Sequence, residues 1–130
     1  MELPYLPRSL EPVLHRALAE FPSVLVTGPR QAGKTTLLTR ALGDSHRYVS
    51  LDRPDIRLAA ATDPRGFLAL HPAPLVLDEI QHVPALLSYV KAEIDGDRGA
   101  KGRYVLTGSQ NLLLSKAVTE TLAGRVAVLR

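Results

Sequence analysis

The chain of 130 residues contains no cysteine and no tryptophan, and only 5% of its residues are aromatic. Without cysteine it has no disulfide framework and no thiolate metal site, which fits a reducing compartment. The sequence also shows no apolar run long enough to cross a membrane and no signal-peptide pattern. These absences predict a cytoplasmic protein that has no membrane partner.

Neither sign of charge dominates, because the chain has 16 lysines and arginines and 13 acidic residues, which gives a net charge of +3. This small excess is spread along the chain, which is typical of a solvated surface and gives nucleic-acid binding no support. The four histidines lack ligand-like spacing, and we interpret them as surface or loop residues. The length and the 45% hydrophobic content predict one globular domain over residues 1–130.

Residues 28–35 read Gly-Pro-Arg-Gln-Ala-Gly-Lys-Thr, which is the phosphate-binding loop G-x-x-x-x-G-K-[ST]. Gly28 and Gly33 let the backbone curl around a polyphosphate where a Cβ would clash. Lys34 reaches the β- and γ-phosphates, and the Thr35 hydroxyl is a candidate Mg²⁺ ligand. The backbone amides from Gln31 onward form an anion-binding nest at the start of the next helix. The predicted nucleotide-binding residues are Gly28, Gln31, Ala32, Gly33, Lys34, Thr35 and Thr36.

Strand and helix patterns alternate around this loop. The predicted strands are residues 23–27, 48–51, 75–77, 103–107 and 126–129. The predicted helices are residues 10–21, 35–42, 54–62, 84–94 and 112–123, with a proline-rich loop from Pro64 to Pro74. This order predicts the α/β fold of P-loop NTPases, three α/β/α layers around a mainly parallel sheet of about five strands. A buried-type strand at the end of the chain predicts a fragment of a longer protein.

An apolar strand pattern ends in two acids, Asp78 and Glu79. Ligands of a parallel sheet bind beyond the carboxyl ends of the strands, so both acids are predicted to lie beside the phosphate loop. There Asp78 would hold Mg²⁺ through water, and Glu79 would orient or deprotonate a water for attack on the γ-phosphate. The alternative is that these are ordinary solvated acids at a strand end. The sequence lacks the guanine-reading motifs of GTPases, which favours adenine by elimination.

The end of the fourth strand is also polar, with Thr107, Ser109 and Gln110. Between the phosphate loop and the acidic strand, such a side chain can sense the γ-phosphate or position the attacking water, and ordinary turn chemistry is the alternative. A resemblance to the signature of transporter ATPases is rejected, because that signature opens a helix upstream of the acidic strand. Arg125 is either an arginine finger for a neighbouring subunit or a surface arginine.

Together these segments resemble the P-loop ATPases of the AAA+ type. The chain is similar to the N-terminal AAA domain of a group of bacterial and archaeal predicted ATPases whose C-terminal domain has no known function. The resemblance rests most on Asp-Glu-Ile-Gln at residues 78–81 and Leu-Thr-Gly-Ser-Gln at residues 106–110, and it spans nearly the whole chain. It implies a five-strand ATPase core without the C-terminal lid. It also implies catalytic roles for Lys34 and Glu79, a metal site at Thr35 and Asp78, and a polar sensor at Ser109.

Three functions remain open from the sequence. The first is an ATPase that uses ATP and Mg²⁺ and couples hydrolysis to an unidentified protein or DNA partner, as a homo-oligomer of the full-length protein. The second is a module that binds ATP or ADP with little hydrolysis. The third is a small-molecule kinase, which the Asp78-Glu79 pair disfavours.

Overall fold

The computed structural model describes residues 10–27, 34–109 and 120–129. Within these ranges five parallel strands form one sheet in the order β2-β3-β4-β1-β5. The strands are β1 (Ser23–Thr27), β2 (Arg47–Ser50), β3 (Leu75–Asp78), β4 (Tyr104–Gly108) and β5 (Val126–Leu129). The helices are α1 (Leu10–Glu20), α2 (Lys34–Leu42), α3 (Pro54–Thr62), α4 (Pro64–Leu70) and α5 (Leu86–Asp95). The α/β fold expected from the sequence is confirmed.

The two faces of the sheet carry separate apolar cores, as expected for a sheet covered by helices on both sides. One core joins the sheet to α3, α4 and α5, with Leu25, Leu77 and Leu106 at its centre. The other core joins the opposite face to α1 and α2, and its strand residues include Val76 and Val105. Because side chains alternate along a strand, β1, β3 and β4 each contribute to both cores, which explains their continuous apolar runs.

The parallel register brings the carboxyl ends of the five described strands to one edge of the sheet. Ser50 pairs with Asp78, and Thr27 pairs with Gly108. β4 lies between β1 and β3, so the strand that precedes the phosphate loop is separated from the acidic strand by one neighbour. We call this side of the sheet the carboxyl edge. The opposite side, where the strands begin, is the amino edge.

The expected proline-rich loop over residues 64–74 is wrong in its first half, because Pro64–Leu70 forms α4. Proline at the first helical position has no backbone N–H to leave unpaired and already has a helical φ. The Asp63 side chain caps this helix by accepting a hydrogen bond of 3.1 Å from the Gly66 amide. Phe67 and Leu68 then anchor it in the core. The prolines therefore start a helix here.

The other predicted elements agree with the structure to within one or two residues. The predicted helix over residues 84–94 begins at Leu86 and follows a short 3₁₀ helix, Ile80–His82. Most of the helix predicted over residues 112–123 lies outside the described residues. Gly124, which follows the end of that predicted helix, has a φ of 77°, which glycine adopts without strain. Among the described helices, none is long and apolar enough to cross a membrane.

Candidate functional site at the carboxyl edge

Two acidic residues lie where the acidic strand ends. Asp78 is the last residue of β3, and Glu79 follows it. Both are nearly covered, with 6% and 7% of their surfaces exposed. Buried acids require hydrogen-bond partners, since a carboxylate that loses water without replacement is strongly destabilising. The partners of these two residues define the site.

Two hydroxyl groups hold the Asp78 carboxylate. The Tyr48 hydroxyl on β2 donates to Oδ2 at 2.5 Å, and the Thr107 hydroxyl on β4 donates to Oδ1. Asp78 follows Val76 by two positions and Thr107 follows Val105 by two, so both point to the face covered by α1 and α2. Tyr48 pairs with Val76 in register, and its long ring carries the hydroxyl forward to Asp78. Three neighbouring strands thus converge on one carboxylate.

The Tyr48 phenol stays protonated under ordinary conditions. Burial raises its pKa to about 12, helped by the hydrogen bond that it donates to Asp78. The phenol therefore keeps the proton that it donates to Asp78 in this structure. The Thr35 side chain, in the first turn of α2, hydrogen-bonds the same phenol and opposes part of the rise.

Thr35 and Asp78, the two predicted metal ligands, both hydrogen-bond the Tyr48 hydroxyl and therefore lie close together. A hydroxyl and a carboxylate are hard oxygen ligands that suit Mg²⁺. Within the described ranges, no group of three or more histidine or acidic side chains is arranged to hold a metal ion. Magnesium in nucleotide sites needs only one or two carboxylates, because phosphates and water complete its coordination. The residues present fit this ion.

Glu79 has an unusual backbone conformation. Its φ of 61° and ψ of 53° lie in the left-handed region, which costs a residue with a Cβ about 1 kcal/mol. Its amide donates to the Thr107 hydroxyl at 2.9 Å, and its Oε1 accepts from the Gln81 side-chain amide at 2.8 Å. This left-handed residue comes directly after the end of β3 and precedes the 3₁₀ helix. A strained residue held in place by its surroundings is a recurring feature of functional sites.

Much of the predicted phosphate loop falls outside the described part of the chain. Residues 28–33, with Gly28, Gln31, Ala32 and Gly33, belong to the gap, as does the side chain of Lys34. Thr35 and Thr36 are exposed in the first turn of α2. Of the described residues that flank this gap, Thr27 ends β1 at the carboxyl edge, and Thr35 at the start of α2 hydrogen-bonds the Tyr48 hydroxyl.

At the end of β4 the structure distinguishes the polar residues that the sequence could not. Thr107 is fully buried and joins Asp78 to the Glu79 amide, so its hydroxyl is occupied within the protein. Ser109 follows β4 at the carboxyl edge and is partly exposed, which leaves it as the candidate sensor. Gln110 lies outside the described residues.

Arg125 lies at the amino edge, away from this site. It directly precedes β5, whose first residue pairs with the first residue of β1. Its guanidinium makes two contacts with Asp95, Nε to Oδ1 at 2.8 Å and Nη2 to Oδ2 at 3.2 Å, and also donates to the Ala123 carbonyl. This bidentate pair accounts for the guanidinium within the chain. A role as an arginine finger for a neighbour stays a prediction.

Comparison with known protein families matches most of the chain. A sequence model of the family described as "AAA domain" matches residues 20–130. The chain belongs to this family. AAA domains are P-loop ATPase-like, so membership indicates nucleotide binding and agrees with the resemblance found in the sequence.

Two curated relatives are similar to this AAA domain. They are uncharacterized proteins of Mycobacterium bovis and Mycobacterium tuberculosis, each 36% identical over 114 residues. The match covers 87% of this chain and 25% of each relative. The chain therefore spans about a quarter of the length of these relatives.

Sequence reasoning missed two residues of the AAA domain's site, Tyr48 and Gln81. Tyr48 appeared only as a strand residue, since its reach to Asp78 depends on the pairing of β2 with β3. Gln81 follows Glu79 by two positions, and their contact depends on the left-handed turn between strand and 3₁₀ helix.

Proposed function

We propose that this AAA domain binds ATP at the carboxyl edge with Mg²⁺ and hydrolyses the bond between its β- and γ-phosphates. The observation that carries the proposal is the convergence of Tyr48 and Thr107 on Asp78, with Thr35 bonded to the same Tyr48 hydroxyl and the Glu79 amide bonded to Thr107. This arrangement puts hard oxygen ligands at the start of the helix that follows a phosphate loop.

Each residue has a distinct part in the proposal. Thr35 and Asp78 hold the ion, which when bound supplies charge neutralisation for the phosphates. Lys34 and the amides of residues 31–36 bind the phosphate oxygens. Glu79 accepts a proton from the attacking water or orients it, and Ser109 hydrogen-bonds the γ-phosphate region. Thr107 keeps Asp78 and Glu79 in position.

Glu79→Gln and Lys34→Ala test the proposal, with calorimetric ATP and ADP binding and phosphate release as readouts. Glu79→Gln is expected to keep ATP binding and lower turnover by about 10²- to 10⁴-fold, the usual contribution of a general base. Lys34→Ala is expected to weaken ATP binding by about 10- to 100-fold, because a charged hydrogen bond contributes about 1.5–3 kcal/mol. Glu20→Gln and Lys101→Ala, at exposed positions, are matched controls.

Unchanged turnover in Glu79→Gln would remove Glu79 as the base. Equal ATP affinity in Lys34→Ala and Lys101→Ala would remove the phosphate site.

A second candidate is a nucleotide-binding module that hydrolyses little. It is favoured by the Gln81 amide, which already occupies one oxygen of the Glu79 carboxylate. Tight Mg²⁺-dependent ATP binding without phosphate release, in the wild type and Glu79→Gln alike, would establish it. A protein or DNA partner, a homo-oligomer of the full-length protein and a cytoplasmic location stay predictions.

A further inference from the structure

The Tyr48 hydroxyl stands between the two residues that the proposed function assigns to Mg²⁺. It donates to Oδ2 of Asp78 at 2.5 Å and hydrogen-bonds the side chain of Thr35. The other oxygen of Asp78 already accepts from the buried Thr107. Oδ2 accepts from the phenol, and the phenol links it to Thr35 at the start of α2.

In the proposed function, Oδ2 of Asp78 also accepts a hydrogen bond from a water bound to Mg²⁺. If Thr35 ligates the ion directly and Asp78 holds it through water, a hydration water of the ion must donate to the carboxylate from the side of Thr35. The Tyr48 hydroxyl supplies a donor from that side. A phenol O–H and a water O–H are equivalent partners for a carboxylate, and both give short, charge-assisted hydrogen bonds.

We propose that the Tyr48 hydroxyl is a placeholder for the hydrated magnesium ion. The hydroxyl donates to Asp78 until the ion and nucleotide bind, and it then moves away from the carboxylate. This inference rests on the proposed function. The position of the ring permits the exchange, because Tyr48 is 45% exposed and lies on β2, at the edge of the described sheet. Thr107, fully buried on the central strand β4, is fixed by comparison and remains with Asp78 in both states.

The exchange makes Tyr48 a competitor of the ion. Metal binding must break the phenol–carboxylate hydrogen bond, so the affinity for Mg²⁺ with nucleotide is lower than the ligands alone would give. Removing the hydroxyl while keeping the ring removes the competition. A residue that positioned Asp78 for the metal would show the opposite effect when altered.

Tyr48→Phe tests the sign of this effect with ADP, which binds without turnover. Calorimetry with Mg²⁺ is expected to show ADP binding about 3- to 10-fold tighter than in the wild type, the range expected for the net contribution of one hydrogen bond. ADP binding in EDTA is expected to be unchanged. Tyr89→Phe, which alters a half-buried tyrosine on α5, is the matched control and is expected to behave as the wild type.

A second readout follows the phenol itself. Addition of Mg²⁺ and ADP to the wild type is expected to change the near-ultraviolet absorption of tyrosine. The reason is that the Tyr48 phenol would then hydrogen-bond water in place of the Asp78 carboxylate. The change should persist in Tyr89→Phe and vanish in Tyr48→Phe. Neither readout requires hydrolysis.

The outcomes separate this inference from the proposed function. Equal or weaker Mg²⁺-dependent ADP binding in Tyr48→Phe, with normal binding in the wild type, overturns the placeholder and leaves the nucleotide site intact. A wild type that binds ADP without any dependence on Mg²⁺ overturns the metal site and the placeholder together.

Discussion

The two edges of the sheet hold their carboxylates in different ways. At the carboxyl edge, Asp78 is nearly covered and accepts hydrogen bonds from two neutral hydroxyl groups, on Tyr48 and Thr107. At the amino edge, Asp95 is partly exposed and is paired with two cations, Arg125 and Lys91. The hydrogen bonds from these cations, that of Arg125 first, lower the pKa of Asp95 to about 2.

In the proposed function, this difference separates a structural carboxylate from one arranged for a ligand. Asp95 is neutralised by side chains of the same chain, and its geometry needs no further group. The donors of Asp78 are neutral hydroxyl groups, which bring no compensating positive charge; in the proposed function a cation supplies it. The carboxyl edge also carries strain: among the described non-glycine residues, Glu79 alone has a positive φ. These properties support a functional carboxyl edge and a structural amino edge.

The largest expected effect comes from removing the hydroxyl at the centre of the carboxyl edge. Thr107→Val keeps the shape of the side chain but leaves Oδ1 of Asp78 and the Glu79 amide without their shared partner. Unsatisfied buried groups cost about 1–3 kcal/mol each, so we expect the free energy of unfolding in urea to fall by about 2–4 kcal/mol.

Thr107→Ser is the matched control, because it keeps the hydroxyl and loses only a methyl group. It should cost about 1 kcal/mol. Equal stability of the two variants would contradict the view that this hydroxyl holds the edge together.

A smaller effect is expected from the strained backbone of Glu79. Glu79→Asn and Glu79→Gln both replace the acid with an amide, but asparagine tolerates the left-handed region better than other residues with a Cβ. We expect Glu79→Asn to be more stable than Glu79→Gln by about 1 kcal/mol in urea unfolding, with turnover lost in both. If Glu79→Asn is the less stable variant, the side-chain contact with Gln81 outweighs the backbone strain.

The carboxyl edge was more predictable in position than in detail. The apolar run ending in Asp78-Glu79 located both acids, since a strand and its end are local features of the sequence. The contacts of Tyr48 and Thr107 with Asp78 depend on the order β2-β3-β4, and no local pattern encodes which strands are neighbours. The left-handed conformation of Glu79 was also hidden, because a glutamate carries no signal for it.

The contacts at the amino edge were also hidden in the sequence, because they join residues far apart along the chain. Arg125 follows a glycine and precedes a strand, which leaves its partner open in the sequence. Asp95 is 30 residues away, and only the packing of α5 beside the start of β5 brings the two together. The α4 helix was missed for a local reason, because Pro64 and Pro72 resembled breakers while Asp63 supplied a cap.

The smallest expected effect tests the amino edge by pH. The pKa of Asp95 is lower in the folded chain than its ordinary value of 3.8, so its ion pairs stabilise the fold fully above about pH 4. The stabilisation is lost as the pH falls through the folded value of about 2. Asp95→Asn should therefore lower the melting temperature slightly at neutral pH, and the difference from the wild type should shrink toward pH 2. The effect is small because the pair is partly exposed and solvent screens it.

Arg125→Ala decides whether this edge is structural alone. A structural arginine predicts a loss of stability similar to that of Asp95→Asn, with ATP turnover unchanged in both variants, because they break the same bidentate pair. An arginine finger predicts that Arg125→Ala loses turnover while Asp95→Asn keeps it, since only the first removes the guanidinium. Mixing Arg125→Ala with Glu79→Gln then separates the cases further. Recovered turnover requires one subunit to supply the arginine and its neighbour the base, which would move Arg125 from the structural edge into the site of another copy.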